Sequence, residues 1–198
     1  MSRIVPILFN TNMVRAILDN RKTVTRRVVK FVDKKNPNWT GYKKDGIVLY
    51  NGKNEICNKR APYQTGDILY IRETWNEWDD GYIYKAWDEP FPQPGYYPGM
   101  TWHPSIHMPK EAARIWLKVT DVRAERLQNI TDEQAIREGL REVKYDVNTG
   151  QKKSAALEWF PIIWDSTIKK ADIDRYGWDA NPWVWVIEFE RCEKPEEG

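Results

Sequence analysis

Apolar and polar positions alternate with a period of two along much of the chain, interrupted by short stretches with helical spacing. The apolar run Ile4 to Phe9 predicts a first strand. Asn10-Thr11-Asn12 then offers side chains that cap a helix, and Met13, Ala16, Ile17 and Leu18 mark its apolar face before Asp19-Asn20 ends it. From Thr23 to Val29 the period returns to two, with Thr23, Thr25, Arg27 and Val29 on one face and Val24, Arg26 and Val28 on the other. This predicts a strand leaving a helix–strand corner. Ile47 to Tyr50, Asn51-Gly52 and Lys53 to Cys57 carry the signature of a hairpin with a type I′ turn. Gly66-Asp67 opens a strand from Ile68 to Trp75, which Asp80-Gly81 turns into Tyr82 to Trp87.

Further along, residues 90–109 hold six of the twelve prolines, which predicts irregular chain until Glu111. Ile115, Leu117 and Val119 alternate with polar or large neighbours, and the parity slips at Val122, so one long strand with a bulge is expected. Thr131 and Gln134 form a capping box for a short helix that Gly139 closes. Residues 141–153 are polar and read as an inserted loop. Leu157, Phe160, Trp164 and Ile168 recur at helical spacing, with Pro161 implying a kink or a late start, and Trp183 to Phe189 is a last strand. Many strands, two or three helices and no βαβ rhythm predict an α+β fold: a small mixed β-barrel with flanking short helices and long loop insertions. One domain is expected over residues 1–192, followed by a charged tail at 193–198.

Composition narrows the class. The 198 residues are 41% hydrophobic, enough for a core without staples. No apolar run approaches a membrane span, and the first is too short for a secretory core, so the expectation is a cytoplasmic protein with no membrane partner. Cys57 and Cys192 supply neither a disulfide framework nor a metal set. The net charge of +2 conceals an asymmetry: residues 1–60 carry 14 Lys plus Arg against 4 Asp plus Glu, and the remainder is acidic. A clustered basic face is the footprint of a phosphate-bearing partner, although Lys34, Lys35, Lys43 and Lys44 read better as a solvated loop. The 11 Trp and 10 Tyr suit base stacking where they stand beside cations, while Trp164, Trp183 and Trp185 lie in apolar runs and read as core.

Common catalytic signatures are absent, whether phosphate loop, metal helix or nucleophile elbow. His103 and His107 have helical ligand spacing, but Pro104 and Pro109 forbid the helix and no third ligand is evident, so no metal and no cofactor are expected. Asn20-Arg21-Lys22-Thr23-Val24-Thr25-Arg26-Arg27 concentrates cations and hydroxyls at one corner. Lys22 would activate Thr25 only if burial or the neighbouring arginines lowered its proton affinity; otherwise the segment is a passive phosphate clamp. Glu138 falls in the last turn before Gly139, where the helix dipole disfavours a negative charge, which suits a proton donor; the alternative is an ordinary exposed helix glutamate.

Asn20 to Arg27, Gly66 to Leu69, Thr131 to Gly139 and Trp185 to Phe189 together resemble the ASCH domain of the PUA-like superfamily. Tyr70-Ile-Arg-Glu-Thr-Trp75, Trp102-His-Pro-Ser-Ile-His-Met-Pro109 and Trp178 to Trp185 look like its longer phage and prophage branch. The resemblance implies a PUA-like barrel and a partner that is RNA, DNA or a nucleotide with a modified base. Arg21, Thr23, Arg26, Arg27, Arg72, Glu73, Ser105 and His107 are the expected binding residues. One small bacterial branch hydrolyses N4-acetylcytidine; by that likeness Lys22 is the base, Thr25 the nucleophile and Glu138 the acid. This chain is about twice as long as that branch and has Asn20 where the motif has glycine. The leading expectation is a phage-type module that binds nucleic acid or a nucleotide in a basic cleft beside the barrel. The alternatives are an amidohydrolase of N4-acylated cytidine, and a phage assembly or host-interaction protein using its Trp-rich surface.

Overall fold

The computed structural model describes residues 2–30, 49–50, 56–57, 61–78, 81–86, 101–141, 143–145 and 152–196. In chain order the elements are β1 (Ile4–Leu8), α1 (Thr11–Leu18), β2 (Val24–Val28), β3 (Leu49–Tyr50), β4 (Ile56–Cys57), β5 (Ile68–Arg72), β6 (Trp75–Trp78) and β7 (Gly81–Tyr84). Then come β8 (Trp116–Arg126), α2 (Asp132–Arg137), β9 (Val143–Tyr145), β10 (Lys152–Ser154), α3 (Ala156–Ser166), α4 (Ile173–Tyr176) and β11 (Trp183–Cys192). Three single 3-10 turns separate them, one of them at Ser105–His107.

Five strands make one mixed sheet in the order β1-β5-β8-β11-β2, parallel only between β1 and β5. Alternation along β11 divides the core. Trp185, Ile187 and Phe189 face inward with Ile7, Leu69 and Leu117 and with Val14 and Ile17 of α1, whereas Val184 and Val186 face outward under Phe160 and Trp164 of α3. Each such aliphatic side chain contributes about 1.5–3 kcal/mol on burial. A third cluster, around Trp75, Tyr84, Met108 and Trp116, packs the β6–β7 hairpin against the segment that precedes β8.

The fold is α+β, as expected, but the sheet is open. β1 and β2 are its two edges and form no backbone ladder with each other. The Arg27 side chain spans between them: a terminal nitrogen donates to Leu8 O at 2.8 Å, and its guanidinium lies 5.3 Å over the Phe9 ring. A charged side chain thus occupies the place that backbone pairing would take in a closed barrel.

Several local expectations are corrected. The β3–β4 register pairs Leu49 with Cys57 and Tyr50 with Ile56, whereas a two-residue turn at Asn51-Gly52 would pair Tyr50 with Lys53. The Asn51-Gly52 turn itself lies outside the described residues. β5 stops at Arg72, and the hairpin is made by β6 and β7 with Trp78 opposite Gly81, so the pairing turns one residue earlier than Asp80-Gly81 suggests. Residues 141–153 are not all loop: β9 and β10 pair, Lys152 with Tyr145, through backbone groups that a hydropathy pattern does not report. The bulge falls at Thr120, which is skipped between the pairs Glu188–Asp121 and Phe189–Val119. Pro161 lies inside α3, and the helix continues through it. Trp87 and most of the proline-rich segment, 87–100, lie outside the described residues.

Candidate functional site

The corner between α1 and β2 is built by backbone constraints. Asn10 caps α1 by accepting from Met13 N at 2.9 Å. At the other end Asp19 is the C-cap and Asn20 takes φ +56°, a left-handed conformation that glycine and asparagine reach most readily. Asn20 therefore makes a turn that glycine would also allow. Arg21 N and Lys22 N then both donate to Ala16 O, at 2.8 and 2.9 Å, which turns Lys22 inward. Gly139, at φ +103°, sits against the same corner, where a Cβ would come 2.7 Å from Ala16 Cβ and 3.3 Å from Lys22 Cβ. Only glycine allows α2 to end this close.

Lys22 is 2% exposed. Its Nζ donates to Val24 O at 2.8 Å, Glu138 O at 3.0 Å and Glu138 Oε2 at 2.6 Å. Three acceptors match the three N–H bonds of an ammonium. Burial pulls the Lys22 pKa below that of an ordinary lysine, the Glu138 carboxylate opposes the shift, and Arg27 and Arg26 add to it. The other Glu138 oxygen accepts from Arg26 at 2.9 Å, so the carboxylate is clasped by two cations and is buried, not exposed. Arg26 also donates to Gln134 Oε1 at 2.7 Å, and its Nε is buried with no hydrogen-bond partner among the described residues. A second ionic chain, Glu125–Arg123–Glu188–Arg137, continues from there over the sheet.

β2 is an edge strand. Phe189 N donates to Thr23 O and Val29 N to Trp183 O, so the odd-numbered residues of this stretch direct their backbone groups at β11. By alternation Val24, Arg26 and Val28 direct theirs at the free edge. A narrow cleft of about 50 Å³ runs beside this edge, walled by Thr25, Arg26, Arg27 and Glu138 on one side and by Phe160, Ile163 and Trp164 of α3 and its C-cap Thr167 on the other. That is room for roughly three or four waters. Two larger clefts adjoin it. One, of about 320 Å³, shares Arg26, Arg27, Trp164 and Thr167 with it and adds Lys30, Lys169 and Asp172. The other, of about 400 Å³, shares Met13, Glu138, Leu140 and Ile163 and adds Arg15, Arg21 and Arg141.

Thr25, Arg26, Arg27 and Glu138 line one cleft, and Lys22 is joined to it through its pair with Glu138. Arg21 borders the larger cleft, held by Asp19 at 2.8 Å and by Gly139 O. Thr23 is committed elsewhere: its hydroxyl accepts from Arg137 Nε at 3.1 Å. Arg72, Glu73, Ser105 and His107 line none of these three clefts and gather instead around Met108. Arg72 Nε donates to Met108 O at 2.7 Å, Glu73 N contacts the Met108 sulfur, and Met108 N donates to Ser105 O. Glu73 is buried in a two-pronged pair with Arg114, at 3.0 and 3.1 Å. His103 packs 5.1 Å from the Trp75 ring, and no group of three side chains able to hold a metal occurs among the described residues.

Comparison with family models, with curated proteins and with solved structures finds no match to this chain.

Sequence reasoning missed Gln134 as a site residue. Its side chain serves the capping box, accepting from Thr131 N at 3.3 Å, and holds Arg26 at the same time. Phe160 and Trp164 were legible as an apolar helix face; that this face also walls a cleft depends on where α3 docks.

Proposed function

We propose that this chain is an ASCH-type, PUA-like module that binds single-stranded nucleic acid or a nucleotide along the free edge of β2. The observation that carries the reading is the groove itself: a narrow cleft with a buried Lys22–Glu138–Arg26 cluster at its floor and cation-rich clefts on both sides. The edge of β2 offers backbone donors and acceptors, and Arg27, Lys30 and Lys169 offer charge to phosphate. The unpartnered Arg26 Nε is a buried donor whose desolvation a ligand acceptor would offset.

Titration with short single-stranded RNA and DNA across salt concentrations tests the proposal. The logarithm of the binding constant should fall with that of salt by about 0.7 for each phosphate engaged, and Arg27→Gln with Lys30→Gln should flatten the line. A salt-independent response, or no binding by either polymer, overturns the reading.

A second reading rests on one observation, that Thr25 and Glu138 share a cleft while Lys22 is bonded to Glu138. Lys22 would pass a proton across the 2.6 Å contact to Glu138 and then accept one from Thr25 as it attacks an acyl carbonyl. Glu138 would protonate the departing amine as the C–N bond breaks, and a water would then hydrolyse the ester left on Thr25. At rest both Glu138 oxygens and all three Lys22 N–H bonds are engaged, which favours binding as the primary role. Acylated cytidine incubated with the protein decides between them: hydrolysis that Thr25→Ala and Glu138→Gln abolish would establish the enzyme.

A further inference from the structure

Among the described residues, two carboxylates line the three clefts, and they are held differently. Glu138 is clasped by Lys22 and Arg26. Asp172 lines the cleft of about 320 Å³ with Arg26, Arg27, Lys30 and Lys169, yet it forms no ion pair or hydrogen bond among the described residues. It stands at the N-cap of α4, where an aspartate ordinarily accepts from a backbone N–H of the first turn, and it makes no such bond. Its oxygens are therefore uncommitted. A carboxylate set among four cations weakens a cleft for a bare phosphate, so its place is explained by a ligand that carries a hydrogen-bond donor beside its negative charge. The cleft also has an uncommitted donor: Arg26 is 4% exposed, and its Nε is buried with no partner among the described residues. Lys30 and Lys169 are exposed and likewise pair with no described residue.

We infer that this cleft reads the ribose of single-stranded RNA, and that Asp172 accepts a hydrogen bond from the 2′-hydroxyl. In a polynucleotide every phosphate has a sugar beside it, and the 2′-hydroxyl is the donor that RNA has and DNA lacks, whatever the base. Lys30 and Lys169 take the phosphate and Asp172 the neighbouring hydroxyl. Acidic side chains hold ribose hydroxyls in the same way in dinucleotide-binding folds. At about 320 Å³ the cleft lies at the small end of ligand sites, which run from about 300 to 1,000 Å³, and that suits one sugar–phosphate unit. The inference rests on the nucleic-acid reading above and goes beyond it by choosing RNA over DNA and naming the residue that chooses. Base amines are the other donors a strand carries, and they occur in both polymers, so the sugar is what the test varies.

A short single strand of one mixed base sequence is titrated against the full chain by fluorescence anisotropy in ribose, deoxyribose and 2′-O-methyl forms, and the set is repeated with Asp172→Ala. The ribose form should bind roughly 10- to 150-fold more tightly than the deoxyribose form, the scale of a hydrogen bond to a charged group. The 2′-O-methyl form has no proton to give and should fall to the deoxyribose level. In Asp172→Ala the ribose preference should be largely lost, while the deoxyribose form binds somewhat more tightly because a repelling charge has gone. A carboxylate that is only solvated would, on removal, strengthen both polymers alike and leave their ratio unchanged; that result overturns the inference. Equal affinity of ribose and deoxyribose forms, a preference for deoxyribose, or full affinity of the 2′-O-methyl form overturns it too, and each of these leaves the groove reading standing. Binding by none of the three overturns both. The comparison of three sugars on the unsubstituted chain decides the donor question without any variant, so instability of Asp172→Ala would not protect the inference.

Discussion

Four residues build the corner, for backbone reasons at Gly139 and Asn20 and for charge reasons at Glu138 and Lys22. Gly139 is needed for its left-handed φ and for the 2.7 Å approach to Ala16, so Gly139→Ala should destabilise the fold by about 1–3 kcal/mol, read as a lowered urea midpoint. Asn20→Gly, at a position that needs only the φ, should be nearly neutral. Glu138 neutralises two buried cations, so Glu138→Leu leaves Lys22 uncompensated and Arg26 with only its 3.8 Å pair to Glu125, and should cost about 3–5 kcal/mol. Lys22→Met should cost less, because Arg26 still holds the carboxylate at 2.9 Å, and the double variant should fall well short of the sum. Tyr84 supplies a pH marker remote from the site. Burial pushes its phenol up to about 12 from 10.0, and its hydroxyl donates to Ala112 O. Between those values the unfolded chain has released the proton that the folded chain retains. The contribution is therefore complete below pH 10.0 and lost as pH rises to about 12, and Tyr84→Phe should remove that alkaline limb from the stability curve.

At the scale of elements, α2 has two functions that a pair of variants separates. Thr131→Ala removes only the cap and should cost about 1 kcal/mol with ligand affinity retained. Gln134→Ala removes the reciprocal cap and the acceptor that orients Arg26, so it should also weaken nucleotide binding, a change that helix stability alone would not produce. β2 makes a sharper prediction. Its amides should alternate in hydrogen exchange, with Thr25, Arg27 and Val29 protected by β11 and Arg26 and Val28 exchanging faster. Saturation with oligonucleotide should slow the fast pair if the groove lies along this edge. A smooth profile without alternation would contradict the assignment of β2 as a free edge.

Across the whole molecule, the open sheet accounts for the position of the groove. A closed barrel would pair the edge of β2; here the Arg27 side chain spans to β1, leaving backbone and cations accessible on the same side. The excess positive charge of residues 1–60 contributes Arg15, Arg21, Arg26, Arg27 and Lys30 to the groove walls. Long-range attraction from such a surface acts on encounter, so the association rate with single-stranded nucleic acid should fall steeply with ionic strength while dissociation changes less, as stopped-flow fluorescence would show.

Much of the local structure was readable from residue order because it is decided within a few residues. The Asn10 cap, the Asn20 corner, the Thr131 capping box and the presence of a bulge in β8, though not its position, follow from backbone preferences and from which positions must be buried. The apolar faces of α1 and α3 were legible for the same reason. What tertiary structure decided is what joins distant segments. Lys22 and Glu138 are 116 positions apart, and their contact depends on the register of β2 against β11 and on Gly139 letting α2 close upon α1. The same holds where expectation failed. β9 pairs with β10 despite a polar pattern, and Arg72 and Glu73, grouped with the corner cations as expected binding residues, are placed by β5 and the residue after it at Met108 and Arg114. Periodicity records which side of an element is dry; which element it meets, and therefore which charges are neutralised and which stay available to a ligand, is settled only when the sheet and helices pack.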